Sequence, residues 1–255
     1  MKKYTAILMI ILMVFSAGAA VYADEADQQI VTVNPFEILT DPTFDLNTVD
    51  PAQLEVFYAT EVNIPDAYLK TALQNLLNLS SDSAITVENM FSLTGSLNLA
   101  GMSISNLTGL EYAINVTSIS LGNNSVTSLE PLKNLYKLKN LDYSNNNVKA
   151  VPSWIFDMQS LESVNGSANG STVFSSGPSA ENTVLKSMYF ENNKFTSVPD
   201  LSLCTSLEIL SLSNNEFTQF PSNLLSLTKL QMLNLANNEI STVPDLSALT
   251  SLNTI

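Results

Sequence analysis

Carboxylates are the commonest ionisable groups in this chain, and asparagines are the most regularly spaced. The sequence holds 24 acids, ten lysines and one cysteine, with no histidine and no arginine. Without histidine, every histidine-dependent triad and the commonest zinc arrangements are absent. Without arginine, there is no bidentate clamp for phosphate or carboxylate. Two carboxylates can in principle hydrolyse a glycoside, and Asp142 and Glu191 are the pair that a shared face would offer. Asp82 and Glu88 lack the oxygen-ligand spacing of a calcium loop. Neither metal nor cofactor is expected. The asparagines point elsewhere. Asn124, Asn146, Asn169, Asn193, Asn215 and Asn238 follow one another at intervals of 22, 23, 24, 22 and 23 residues.

Each of those asparagines closes a copy of L-x-x-L-x-L-x-x-N-x-L. Val116, Ile119, Leu121, Asn124 and Val126 make one copy, and Leu138, Leu141, Tyr143, Asn146 and Val148 the next. Leu161, Val164, Gly166, Asn169 and Ser171 keep the register through a Ser/Gly-rich stretch. Copies on Asn193, Asn215 and Asn238 follow, and Leu97, Leu99, Met102 and Ile104 precede them with methionine in the asparagine slot. The pattern predicts an α/β solenoid, a leucine-rich-repeat horseshoe. In each copy a short x-L-x-L-x strand sends leucines inward and the intervening residues to a concave parallel sheet. The asparagine turns the chain out of the strand, and its amide can satisfy buried backbone groups of two neighbouring repeats. The copy around Asn169 is expected to be the weakest, because Gly166 fills no volume and Ser171 replaces an apolar side chain. Asp142 and Glu191 then fall two strands apart, on the order of 10 Å, on an open face. No enzyme is expected. Cys204 takes a convex slot filled elsewhere by Ala113, Leu135, Met158, Leu227 and Leu249, which predicts a buried thiol. Asn182 is the exception in that slot.

Residues 1–23 read as an export signal: Lys2 and Lys3, the apolar run Ala6 to Phe15, then small residues ending Val21-Tyr22-Ala23. The run is short of the roughly 20 residues of a membrane span, so no span is expected in the mature chain. That chain would carry 8 lysines and a net charge of −16, which argues against nucleic acid and anionic lipid. Residues 24–60 hold eight acids, no base and three prolines, as expected of an extended or disordered acidic linker. Residues 61–95 are expected to form a helical N-terminal cap. One helix starts at Pro65-Asp66 with Tyr68, Leu69, Leu73, Leu76 and Leu77 on one face; a second starts after Thr86. Repeats fill 96–255, seven complete and one cut at Ile255, as expected of a fragment of a longer protein.

The runs IPDAYLKTAL and ITVENMFSLTGSLNLAGMSISNLTGLEYAINVTSISLGNNSVTSLEPLKNL, within residues 61–135, resemble the cap and first repeats of the internalins. These are secreted leucine-rich-repeat proteins of Gram-positive bacteria. The resemblance implies a curved array, display on the cell surface, and protein recognition on the concave face. It weakens where Val151-Pro152, Val198-Pro199, Phe220-Pro221 and Val243-Pro244 give the repeats a commoner bacterial spelling, so no family binding residue carries over.

The expected function is recognition of a protein partner, with a glycan as the secondary ligand class. The rival is a passive spacer or presenting domain of a longer surface protein, since most concave positions are small: Ser118, Ser120, Ser163, Asn165, Ser167. Three are not. Tyr189, Ile209 and Met232 are expected on neighbouring strands, with Glu191 on the rim, and aromatic and methionine side chains are enriched at interfaces. Trp154, on the convex side opposite Asn223 of a later repeat, is the second candidate. At least one of its edges should be wet.

Overall fold

The computed structural model describes residues 20–23, 30–33 and 58–255. The rest of the expected signal segment and of the linker lies outside the described residues. Within those segments, Ala20–Ala23 pairs antiparallel with Ile30–Val33.

Seven strands form one parallel sheet in chain order. They are β1 (Gly95–Asn98), β2 (Val116–Ser120), β3 (Asn140–Asp142), β4 (Ser163–Asn165), β5 (Ser187–Tyr189), β6 (Ile209–Ser211) and β7 (Met232–Asn234). The central inward residues stand in one file: Leu97, Ile119, Leu141, Val164, Met188, Leu210 and Leu233. All are buried. A one-residue slip would turn such a file out to water, so the apolar alternation fixes the register. Beyond β7, the Leu233 N–H donates to Thr254 O at 3.0 Å, where the next copy begins. Convex returns are short: 3₁₀ turns at Leu110–Tyr112, Glu130–Leu132 and Ser222–Ser226, one helical turn at Trp154–Asp157, and a small parallel pair of Ala150–Val151 with Val173–Phe174.

The asparagines form a continuous ladder. Asn193 is representative. Its Nδ2 donates to Phe190 O at 3.1 Å in its own repeat and to Gly166 O at 3.0 Å in the preceding repeat. Its Oδ1 accepts from the N–H groups of Asn169 and Ser171, both at 3.0 Å. Asn124, Asn146, Asn169, Asn215 and Asn238 repeat the arrangement. The residue before each is left-handed: Asn123, Asn145, Ala168, Asn192, Asn214 and Asn237 all have φ between 52° and 58°. Asparagine tolerates that region better than other side chains do. The Asn-Asn doublet is therefore two different devices, one for backbone shape and one for hydrogen bonding.

The repeat around Asn169 departs from expectation: it is not underpacked. A Cβ on Gly166 would lie 2.4 Å from the Tyr143 hydroxyl and 2.6 Å from Phe190 Cε1. Glycine is there because two rings already occupy its side-chain volume. Behind them Phe174 stacks on Phe195 at 4.4 Å and meets Phe190 edge-on at 5.2 Å, with Phe156 at 6.2 Å. Ser171 is fully buried and donates to Val148 O at 2.5 Å, so its hydroxyl is satisfied. Large rings on neighbouring repeats replace the two missing apolar side chains.

Two helices precede the sheet, α1 (Ala67–Leu76) and α2 (Val87–Ser92). The Asp66 carboxylate starts α1, accepting from Tyr68 N and Leu69 N at 3.0 Å. Its other oxygen reaches across to the first repeat, accepting from Ser105 N at 2.8 Å and from Ser105 Oγ and Asn106 N at 3.0 Å. Burial raises its pKa, but these hydrogen bonds outweigh that and hold it below the ordinary aspartate value. Leu69, Leu73, Val87, Met90 and Phe91 join the same apolar core as the repeats. Tyr68 and Leu76, expected on the buried face, are exposed (62% and 45%). Among the described residues the sheet flanks α1 on one side only, so its buried stripe is narrower than the sequence pattern suggests.

Candidate protein-binding face

Strand alternation places two concave columns on the sheet. The first runs Ser96, Ser118, Asn140, Ser163, Ser187, then Ile209 and Met232 on β6 and β7. The second runs Asn98, Ser120, Asp142, Asn165, then Tyr189, Ser211 and Asn234. Ile209 and Met232 are directly paired. Tyr189 is not in their column. It pairs with Asn165 and Ser211, diagonal to Ile209, a separation that large side chains bridge. Tyr189 and Ile209 are half-buried and Met232 is 37% exposed. Glu191 stands past the end of β5, where it accepts from Ser167 Oγ.

Most of the remaining second column is committed to its own backbone. Asn98, Asp142, Asn165 and Asn234 each accept from the N–H two residues on, at 3.0 to 3.1 Å. These local turns use the polar side chains at the exit of each strand. Asp142 and Glu191, the catalytic pair considered from the sequence, are thus in different columns, two strands apart, and each is engaged locally. Ser211 differs from its neighbours. It is 3% exposed, and its Oγ is buried without a hydrogen-bond partner. Among the described residues no three acidic or cysteine side chains converge to hold a metal ion, and no helix is long and apolar enough to cross a membrane.

A third column was not anticipated. The residue after the first leucine of each copy lies on the rim at the strand entrances: Lys139, Glu162, Lys186 and Glu208 in successive repeats. Lys139 Nζ is 3.2 Å and Lys186 Nζ 3.7 Å from Glu162. Its alternating sign was readable, since the template position is fixed once the leucines are aligned.

On the convex side Trp154 is half-buried, and its Nε1–H is buried without a partner; any wet edge is hydrocarbon. Asn223, its counterpart, donates to Val198 O at 3.0 Å and Pro199 O at 2.6 Å. Cys204 is buried, its thiol pushed up to about 11 chiefly by burial, with a lesser contribution from Asp157. Asn182, the polar exception in that slot, is buried too and donates to Phe156 O at 2.7 Å.

Parallel strands, short convex returns and a continuous asparagine ladder define a leucine-rich-repeat solenoid, a class of interaction modules. The Leucine Rich Repeat family model matches residues 206–227. Internalin C2 of Listeria monocytogenes is 28% identical, with 79% of this chain and 84% of that one covered at a TM-score of 0.66. Listeria monocytogenes InlP, 21% identical at a TM-score of 0.59, covers 78% of this chain and 60% of its own, and shares the fold. A calmodulin-binding receptor kinase of Arabidopsis thaliana is 32% identical over 116 residues; the match spans 44% of this chain and 17% of the kinase. The chain is an internalin-like leucine-rich-repeat protein.

Proposed function

We propose that this chain is an exported, non-enzymatic recognition module that binds a protein partner through the concave face of β5 to β7. The observation that carries the reading is a change of character along one sheet. The concave positions of β1 to β4 are serine, asparagine and aspartate, whereas Tyr189, Ile209 and Met232 stand together on the next three strands. Large side chains with apolar surface on a rigid sheet make efficient anchors, since little entropy is lost when they are covered. The two helices at the start serve as the N-terminal cap. Export to the surface of a Gram-positive cell is supported by the signal-like first 23 residues and by the internalin likeness. Intact mass of the secreted chain should show Asp24 as its first residue; retention of residues 1–23 in a membrane fraction would refute the cleavage.

The spacer reading has one observation in its favour: four concave side chains are already satisfied by their own turns. The two readings separate on one variant. Changing Tyr189, Ile209 and Met232 together to serine should leave the circular dichroism spectrum intact, because none fills the core. It should abolish capture of any protein that the wild-type array retains from cell-surface protein extracts, whereas Ser118→Thr should not. Undiminished capture by the triple variant would place the site elsewhere, with the surface around Trp154 next.

A further inference from the structure

Resting on that concave-face reading, we infer that the partner segment is cationic, with lysine or arginine side chains on either side of an apolar centre. Three acids border the patch or stand two strands before it: Asp142, Glu191 and Glu208. Among the described residues, none of them forms an ion pair. The rim column could have neutralised Glu208, but both of its lysines, Lys139 and Lys186, turn to Glu162 (3.2 and 3.7 Å). Beyond Lys186 the column continues as Glu208 and Gln231, with no further base.

The two nearest acids sit at opposite ends of the strands. Glu208 immediately precedes Ile209 at the strand entrance, while Glu191 stands at the strand exit, two residues after Tyr189. In template positions they are five residues apart, about 16 Å along an extended strand. Between them lie the apolar anchors and the Ser211 hydroxyl, buried with no partner. Such a hydroxyl adds an unclaimed acceptor inside the patch, and it does not depend on the acids. A segment crossing the sheet along the strand direction would place an apolar side chain against Tyr189, Ile209 and Met232. Basic residues about five positions apart would then meet Glu208 and Glu191. The whole chain, with 24 acids to ten lysines, favours the same sign of partner at long range.

Panning a random dodecapeptide phage library on the full chain tests this. Enriched peptides should carry net positive charge, with basic residues flanking an apolar one. Their affinity should fall roughly fivefold in Glu191→Gln/Glu208→Gln and fall again as salt is raised. The control Glu216→Gln/Glu239→Gln, which removes two exposed acids after the ladder asparagines, should leave affinity unchanged. Neutral or acidic peptides that still require Tyr189, Ile209 and Met232 would overturn the cationic assignment while leaving the concave site standing. Cationic peptides that bind the triple serine variant as tightly as wild type, and weaken equally in both acid-to-amide pairs, would reduce the effect to diffuse attraction and overturn it. Failure to enrich any peptide would overturn it as well.

Discussion

In the repeat ending at Asn215, the second inward strand position and the one after the asparagine are Leu212 and Phe217. In the repeat ending at Asn169 the same positions are Gly166 and Ser171. Both layers are fully packed. The first fills its volume with its own side chains, the second with Tyr143 and Phe190 from the repeats on either side, backed by the Phe174–Phe195 stack. An array of this kind balances volume over neighbouring repeats rather than within each one, which follows from its nearest-neighbour energetics. A repeat that looks defective by its own spelling can be the most interlocked.

The largest test of that interlock is Phe195→Ala. It removes the ring stacked on Phe174 and should cost about 3–5 kcal/mol in urea unfolding, more than Leu212→Ala if the aromatic cluster is the shared pillar. Gly166→Leu, which restores the consensus residue, should destabilise by about 3 kcal/mol or more instead of improving the core, since the Tyr143 and Phe190 rings cannot yield easily. A gain in stability would mean that the layer is underpacked after all. Asn193→Ala strips three hydrogen bonds shared with the Asn169 repeat, besides those within its own, and should cost about 2–3 kcal/mol. Asn238→Ala, on a more exposed rung, should cost about 1 kcal/mol.

Asp66 extends the comparison to the end of the stack, where one carboxylate does the coupling that rings do in the middle. Its folded pKa is lowered, so its contribution is present above the unfolded value near 4 and is lost as pH falls through the folded value. Asp66→Asn should cost about 1–2 kcal/mol at neutral pH and flatten the acid limb of the stability profile. An unchanged acid limb would assign that pH dependence to other carboxylates. Tyr143→Phe is the smallest and sharpest test. The Tyr143 hydroxyl is buried without a partner, so removing it should leave stability unchanged or raise it by up to about 1 kcal/mol. Clear destabilisation would mean that the hydroxyl is satisfied in solution.

The sequence alone determined the period, the inward file of leucines, the asparagine ladder and the concave positions. Each is a local consequence of strand alternation and of a turn repeated every 22 to 24 residues. Register propagates without loss in a solenoid, so Tyr189, Ile209 and Met232 could be placed on the concave face by counting. Counting also put Tyr189 one column over from Ile209 and Met232, but it did not show that Tyr189 and Ile209 would be half-buried. Nor could it show that Gly166 is filled from its neighbours, that Tyr68 and Leu76 are left in water at the end of the stack, or that Lys139 and Lys186 both turn to Glu162 and leave Glu208 unpaired. Those outcomes depend on which side chains from different repeats compete for the same volume or the same charge, and only the assembled stack decides that competition.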